Sequence, residues 1–403
     1  MTVTHSKAAL IFFAFAFTYF LSALLRAVTA TLAPVFSAEL GLGAADLGLL
    51  AGAYFLGFAS MQLPLGRALD RFGPRRSLLV LLSLAVLGCV AFALSPGLVA
   101  LTAARVLIGA GVGACLMAPL TLYRSILSPA AQLRANSWML MTGSLGMLAS
   151  TLPVQWLLPH TGWRGLFWAV AGLLMLGMGI IAWLVPPDRP AAAGTADTTT
   201  RYLDIARHPM FLRMAPLGFF LYGGMIAVQS LWAGPWLTRV AGQSAAGAAQ
   251  GLFAINLAML LAFLSWGALM PRLVRRGLDA PRLIAWGVPL ALLLTFVNVG
   301  LGPAASAGHW ALWCVACTFV SVSQPAVGAA FPSAQAGRAL SAFNLVIFSG
   351  VFCVQWGIGL LIDALRTAGW AEVDAFRAAF AMLGLCSTLS YLWFLHRRPA
   401  ANP

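Results

Sequence analysis

Twelve apolar segments of about 20 residues each, separated by shorter polar stretches, dominate this chain of 403 residues. A helix needs about 20 mostly apolar residues to cross the hydrocarbon core of a bilayer. The chain is 61% hydrophobic and 8% charged, whereas a soluble domain carries about 25% charged residues. The pattern predicts an all-α integral membrane protein and excludes a soluble enzyme, a nucleic-acid-binding protein and a disordered chain. The predicted spans lie at about 9–32, 47–66, 77–95, 98–120, 136–158, 163–185, 214–237, 246–270, 282–301, 308–330, 338–362 and 375–395.

The basic residues indicate how the chain crosses the membrane. The net charge of +14 comes from 24 basic and 10 acidic residues. With the N-terminus in the cytoplasm, 18 basic residues lie inside, 4 lie outside, and Arg26 and Arg105 lie within spans. Cytoplasmic loops are enriched in Lys and Arg. We therefore expect a multi-pass protein of the cell (inner) membrane with both termini in the cytoplasm, and we assign the positive charge to topology rather than to nucleic-acid binding.

A polar stretch divides the twelve spans into two sets of six. Residues 186–213 contain Pro-Pro, Ala-Ala-Ala-Gly and Thr-Thr-Thr, a composition typical of a flexible linker. The end of this stretch, from 201 to 209, has the pattern of a short amphipathic helix on the inner membrane surface. The predicted domains are an N-terminal six-helix bundle over 1–185, a cytoplasmic linker over 186–213 and a C-terminal six-helix bundle over 214–403.

The two sets of spans contain similar features at similar positions. The loop Gly66–Arg76 follows span two, and the stretch Gly267–Gly277 follows span eight, 201 residues later. Tyr19 and Tyr222, each seven residues before a polar residue of its span, are 203 residues apart. Two landmarks at nearly one offset indicate duplicated halves, as found in many transporters.

The loop after span two resembles the signature loop of the major facilitator superfamily. Its glycines permit a tight turn at the membrane face, and its aspartate can cap a neighbouring helix or pair with an arginine. The resemblance implies two pseudo-symmetric six-helix bundles that transport a solute by alternating access, with this loop as the conformational-switch loop. The residues that carry it are Gly66, Asp70, Arg71, Gly73, Arg75 and Arg76.

Other spans bear on the subfamily. Arg105 followed by Gly109, Gly111 and Gly113 is similar to the fourth-helix motif of the superfamily, and small residues there let helices pack closely. Span five lacks the Gly-Pro pair of many drug/proton antiporters, which counts against export. The run from Arg26 to Pro34 resembles the first helix of the organic-anion symporters, although Leu25 stands where an aspartate usually precedes the arginine.

Arg26 is the main candidate for substrate binding. The ten carboxylates all lie in loops or at span ends, so the sequence offers no carboxylate at mid-span to pair with a mid-span arginine. Tyr19, Ser22, Arg26 and Thr29 stand on one helical stripe. A cation at membrane depth is costly and marks a functional site by default, so we expect an anionic substrate to neutralise Arg26. The alternative is structural: Arg26 extends outward or bonds helix carbonyls.

The remaining candidate substrate-binding residues are mostly neutral. Amides and phenols inside spans orient a ligand by hydrogen bonds or bridge helices instead, and both alternatives stay open for each. Arg105 likewise either assists the substrate or holds its helix against a neighbour. If the seventh span is a regular α-helix, one of its faces carries Tyr222, Gln229, Trp232 and Trp236. The predicted set beyond the first stripe is Tyr54, Arg105, Tyr222, Gln229, Trp232, Asn256, Gln324 and Asn344.

These features predict a secondary transporter rather than an enzyme. The sequence has no phosphate-cradling loop for ATP, no catalytic set within the spans and no expected cofactor. We expect no metal site, since Cys314 and Cys317 have metal-like spacing but lie in an apolar helix. The predicted function is uptake of an organic anion by symport, with a coupling proton carried by the substrate or by Asp46 or Asp363. The alternative is efflux of neutral or cationic drug-like compounds by antiport. The expected partners are a small-molecule substrate and the lipid bilayer, and we expect a monomer.

Overall fold

A computed structural model describes residues 5–188 and 202–397 of the chain. Most of the predicted linker, residues 189–201, lies outside the described residues. Within the described ranges every regular element is helical. The helices of the first part are α1 His5–Leu40, α2 Ala44–Phe72, α3 Pro74–Leu94, α4 Leu98–Val112, α5 Ala114–Ile126, α6 Pro129–Ala149 and α7 Leu152–Leu184.

The second part is also helical but less regular. Its first membrane-length segment, Pro209–Val240, alternates between short α-helices and π-helical turns. The three π-helical segments are Leu217–Tyr222, Val228–Trp232 and Trp236–Val240. Two 3₁₀ segments, Gly302–Ala304 and Thr318–Val322, occur later. The α-helices are α8 Tyr202–Arg207, α9 Pro209–Pro216, α10 Gly223–Ala227, α11 Ala233–Pro235, α12 Ala245–Arg275, α13 Ala280–Leu301, α14 Ala307–Cys317, α15 Ser323–Ala329, α16 Ser333–Thr367 and α17 Glu372–His396.

Eleven helical segments among the described residues are long and apolar enough to cross a membrane. The helix that begins in the region of the fifth predicted span is α6, which carries Gln132, Arg134 and Asn136 in its first half. The predicted bounds of that span, 136–158, lie too late in the sequence, because α6 ends at Ala149 and α7 starts at Leu152. The all-α membrane fold predicted from the apolar segments is confirmed.

The described helices group into two compact units. Of the described residues, the first unit contains 5–32 and 53–188, and the second contains 33–52 and 202–397. The end of α1 and the start of α2 therefore belong to the second unit, together with the later helices of the chain.

Glycines allow the helices of the first unit to approach closely. A Cβ at Gly109 would overlap the backbone carbonyl of Tyr54, and a Cβ at Gly57 would overlap that of Val106. A Cβ at Gly111 would meet the backbone of Ala85 on α3. Small residues permit this backbone contact, which drives helix association in membranes. The glycines of the fourth span thus pack α4 against α2 and α3.

Candidate functional site

The predicted stripe on α1 keeps its spacing, because the helix is α-helical from His5 to Leu40. Tyr19, Ser22 and Thr29 are buried, with 6%, 1% and 1% of their surface exposed. Arg26 is half-buried. The stripe therefore places one half-buried arginine among three buried polar side chains near the middle of a membrane-length helix.

Aromatic and hydroxyl groups of the first unit surround Arg26. Its guanidinium is hydrogen-bonded to the Tyr19 side chain and lies 5.7 Å from the centre of the Phe58 ring. A cation within about 6 Å of a ring centroid is attracted to the π face. Helix α6 approaches Tyr19 at Gly143, where a Cβ would lie 2.7 Å from the tyrosine ring. Tyr19 is thus held between α6 and the Arg26 guanidinium.

Arg105 is much more deeply buried than Arg26, with 1% of its surface exposed. Its Nη1 donates a hydrogen bond of 2.9 Å to the carbonyl of Leu25. Its guanidinium carbon lies 5.7 Å from the centres of both the Tyr54 and Phe92 rings. The Nε atom has no hydrogen-bond partner among the described residues. These contacts join α4 to three neighbouring helices, so they favour the structural alternative for Arg105.

Tyr54 connects the two arginines. Its hydroxyl donates a hydrogen bond of 3.3 Å to the carbonyl of Ser22, and its ring stacks on Phe58 with centroids 6.4 Å apart. The Tyr54 side chain is fully buried. The predicted residues of the first half, Tyr19, Ser22, Arg26, Tyr54 and Arg105, therefore lie in one continuous cluster of the first unit.

Polar residues of the second unit form amide pairs. The Gln229 side-chain amide donates a hydrogen bond of 3.0 Å to the Asn256 side-chain oxygen, and both residues are buried. Gln324 donates to the Asn344 side-chain oxygen in the same manner. The structure thus brings the four predicted amides together in pairs, each of which bridges two helical segments.

The prediction that four residues of the seventh span share one face assumed a regular α-helix, and the structure shows that this span is not a regular α-helix. The π-helical segments Leu217–Tyr222 and Val228–Trp232 close their turns with i→i+5 bonds and change the direction of the side chains that follow. Tyr222 is half-buried, whereas Trp232 and Trp236 are fully buried. Trp236 packs in a T-shaped contact 5.1 Å from Trp310, as a core residue does.

Sequence reasoning missed Gln355 on α16. Its side chain is fully buried and donates a hydrogen bond of 2.9 Å to the Ser230 hydroxyl. Its backbone carbonyl accepts a hydrogen bond of 3.1 Å from the Trp232 indole. The signal was present, since Gln355 is an amide inside the apolar segment 338–362, as the predicted Asn344 is.

The loop Gly66–Arg76, the predicted conformational-switch loop, has its tight turn at Gly73, between α2 and α3. Gly73 has a φ of +81°, which favours glycine, and Pro74 starts the next helix. The carboxylate of Asp188 accepts hydrogen bonds of 3.1 and 2.7 Å from the backbone amides of Arg75 and Arg76. A Cβ at Gly73 would overlap Asp188. Asp188 therefore caps the start of α3.

This arrangement corrects the prediction that Asp70 caps a helix or pairs with an arginine. Asp70 is exposed and has no hydrogen bond or ion pair with any other described residue. Gly66 lies within α2, where a Cβ would meet nothing within 4 Å, so it is not the turn residue. The guanidinium of Arg71 lies 5.2 Å from the Phe72 ring. The turn at Gly73 directs the first amides of α3 toward Asp188, which leaves Asp70 on the surface.

In the part of the chain that the structure describes, no group of three or more His, Cys, Asp or Glu residues is placed to hold a metal ion. Cys314 and Cys317 are both buried as free thiols on α14. Among the described residues, the candidate groups are thus neutral phenols, hydroxyls and amides, with the guanidinium groups of Arg26 and Arg105 added in the first unit, and such groups can hold a ligand by charge and hydrogen bonds.

Curated proteins with similar sequences are transporters of mycobacteria. The chain is 31% identical over 177 residues to an uncharacterised MFS-type transporter of Mycobacterium tuberculosis, a match over 43% of this chain and 30% of that protein. It is 34% identical over 139 residues to a triacylglyceride transporter of Mycolicibacterium hassiacum, over 33% of this chain and 25% of that protein. The chain thus matches less than a third of the length of either relative.

Solved transporter structures share the fold over nearly the whole chain. A D-xylose–proton symporter superposes with a TM-score of 0.79 at 17% identity, covering 98% of each chain. A bacterial homologue of the human lysosomal transporter Spinster, in its inward-facing occupied conformation, gives 0.76 at 16% identity over 99% of this chain and 100% of its own. At these identities the likeness establishes the fold alone.

The sequence also matches the family model of the Major Facilitator Superfamily over residues 15–323. This match covers most of the chain, and it agrees with the helical membrane fold and with the loop at Gly73. The chain therefore belongs to the major facilitator superfamily.

Proposed function

We propose that this transporter takes up an organic anion of the carboxylate class by alternating access, with Arg26 as the residue that binds the anion. The observation that carries the proposal is the half-buried guanidinium of Arg26 near the middle of α1. A guanidinium binds a carboxylate through two parallel hydrogen bonds. An accessible cation at membrane depth is costly unless it serves a ligand or pathway.

The neighbours of Arg26 support this role. Tyr19 interacts with the guanidinium, and the Phe58 ring lies against it, so its position is fixed before a ligand arrives. Preorganisation of this kind lowers the entropy that binding costs. In this proposal Ser22 and Thr29 offer further hydroxyls, and Arg105 acts through its bond to the Leu25 carbonyl as a positioning residue for α1.

In this proposal the second unit also contributes amide residues to substrate binding. Gln229 and Gln324 each have a second amide N–H beyond the one in the pairs described above, because a side-chain amide carries two donors. In this proposal they orient the neutral part of the substrate. We further propose that a proton accompanies the anion and that both termini face the cytoplasm, in accord with the distribution of Arg and Lys.

A second candidate is movement of a neutral lipophilic compound out of the cytoplasm. The curated relative of Mycolicibacterium hassiacum is named as a triacylglyceride transporter, and the mostly neutral polar groups of the second unit are compatible with such a substrate. The two candidates differ in the charge of the ligand, which makes them separable by direct binding.

Thermal unfolding of the purified protein in detergent tests the proposal. The ligand panel contains carboxylates, phosphorylated compounds, neutral sugars, flavins, cationic drugs and a triglyceride. A ligand at 100 times its Kd stabilises the folded state by about 2.7 kcal/mol. The proposal expects only anions to raise the Tm and expects Arg26→Gln to lose the shift. Shifts produced by neutral lipophiles or cations instead would support the second candidate and assign Arg26 to structure.

A further inference from the structure

The second unit contains a pocket of about 380 Å³ where the end of α1 meets the end of the π-helical segment Trp236–Val240. A volume of about 300–1,000 Å³ is typical of small-molecule sites. Arg26 is not among the residues that line the pocket. It is lined by Ala33, Pro34, Ser37, Ala38, Leu47, Pro235, Thr238 and Arg239.

The lining residues repeat with the period of the duplicated halves. Each of three residues of α1 has a counterpart 201 residues later, and the pairs are Pro34 with Pro235, Ser37 with Thr238, and Ala38 with Arg239. The first pair consists of two prolines, and both residues of the second pair carry a hydroxyl group. The third pair differs, since an arginine replaces alanine. The pocket is therefore pseudo-symmetric in its walls and carries a single cation on one side.

Arg239 has donors available for a ligand. Its Nη2 donates a hydrogen bond of 2.7 Å to the Ser37 hydroxyl, and its Nη1 contacts one oxygen of Glu372 at 3.3 Å. A guanidinium has five N–H donors, so these two contacts leave others. Charge-assisted bonds are usually about 2.7–2.9 Å long, and 42% of the Glu372 side chain is exposed. Glu372 is therefore a loosely held carboxylate that a ligand can displace.

We infer that this pocket is a second anion site, which takes a small monocarboxylate with a compact apolar body. The carboxylate replaces Glu372 on the Arg239 guanidinium, next to the Ser37 hydroxyl, and the apolar body lies against Pro34, Pro235 and Leu47. The inference rests on the proposed function only for the class of ligand, because its residues and geometry are independent of Arg26.

Benzoate binding to the Arg26→Gln protein tests the inference, with acetate as the smaller probe at constant ionic strength. Calorimetric titration is expected to give saturable benzoate binding. Arg239→Gln should weaken it at least tenfold, whereas Glu372→Gln should tighten it at least threefold by removing the competing carboxylate. The matched control is Arg377→Gln, which removes an arginine with the same 3.3 Å contact to a carboxylate, that of Asp374, and should leave the Kd unchanged.

A second variant keeps the test decisive if Arg239→Gln does not fold. Ala38→Leu narrows the pocket without changing a charge and should weaken benzoate more than acetate. Absence of saturable benzoate binding in the Arg26→Gln protein, or a Kd that neither Glu372→Gln nor Ala38→Leu changes, would overturn the second site. Equal benzoate binding by the wild-type and Arg26→Gln proteins would instead count against Arg26 and leave the second site standing.

Discussion

The carboxylate of Asp188 accepts a hydrogen bond of 2.7 Å from the backbone amide of Arg76, 112 residues earlier in the chain. It holds the Arg75 amide as well. A side chain that caps a helix in this way contributes about 0.5–2 kcal/mol. We expect Asp188→Ala to destabilise the protein by about 1 kcal/mol, measured as a lower Tm in detergent. Asp70→Ala, the control in the same loop, should leave the Tm within error, and equal losses for both would contradict the assignment.

The turn between α2 and α3 depends on glycine at position 73. Its φ of +81° is unfavourable for other residues, and a Cβ there would overlap Asp188. We expect Gly73→Ala to cost roughly 1–3 kcal/mol. Gly66→Ala is the matched control in the same motif: it lies within α2 with open space around it, so it should be neutral or slightly stabilising. The comparison needs only the two Tm values, and a stable Gly73→Ala protein would refute the steric argument.

The two tryptophans of the seventh span differ in their hydrogen bonding. The Trp232 indole N–H donates to the Gln355 carbonyl at 3.1 Å, whereas the Trp236 indole N–H is buried without an acceptor among the described residues. A typical hydrogen bond contributes about 0.5–1.5 kcal/mol. We expect Trp232→Phe to be more destabilising than Trp236→Phe by about 1 kcal/mol. The opposite order of the two Tm values would show that packing alone decides.

The buried amide pair Gln229–Asn256 is expected to couple two helical segments. Interhelical hydrogen bonds in membranes average about 0.6 kcal/mol in double-mutant cycles. A cycle of Gln229→Leu, Asn256→Leu and the double variant should therefore give a coupling free energy of about 0.6 kcal/mol. A coupling free energy of zero, with additive effects of the two changes, would mean that the contact at 3.0 Å makes no contribution to stability.

Substitutions of Arg26 and Arg105, the two arginines predicted to lie within spans, are expected to have different effects on stability. Arg105 is buried and bonded to the Leu25 carbonyl, so Arg105→Gln should lower the Tm strongly, by the equivalent of about 3 kcal/mol or more. Arg26 is half-buried, so Arg26→Gln should change the Tm of the ligand-free protein much less. If Arg26→Gln lost as much stability as Arg105→Gln, Arg26 would be a structural residue.

Sequence reasoning predicted the membrane fold and the stripe on α1, because both depend on local pattern. Apolar length decides where spans lie, and α1 is α-helical throughout the stripe, so the 3.6-residue spacing of Tyr19, Ser22 and Arg26 holds. The common face of Tyr222 and Trp236 could not be predicted by the same rule, because π-helical turns change the spacing.

Contacts between residues that are far apart in the sequence could not be predicted from the sequence pattern. Nothing near the loop indicates that Asp188 rather than Asp70 caps α3, since the two sites are brought together only by packing. The same holds for Asp363, whose carboxylate near the end of α16 accepts a hydrogen bond of 2.7 Å from the Ala45 amide. The identity of a mid-span charge is visible in a sequence, but its depth of burial, which separates Arg26 from Arg105, depends on neighbouring helices.

The central claim, that Arg26 binds an organic anion, is tested most directly by equilibrium binding of the strongest anion found in the thermal panel. The variants to compare with the wild-type protein are Arg26→Gln, Arg26→Lys and, as an exposed-arginine control, Arg164→Gln. Loss of a charged hydrogen bond costs about 1.5–3 kcal/mol, roughly a 10- to 100-fold rise in Kd. We predict that rise for Arg26→Gln, a smaller one for Arg26→Lys, which keeps the charge without the planar fork, and none for Arg164→Gln. An unchanged Kd in the folded Arg26→Gln protein would contradict the claim.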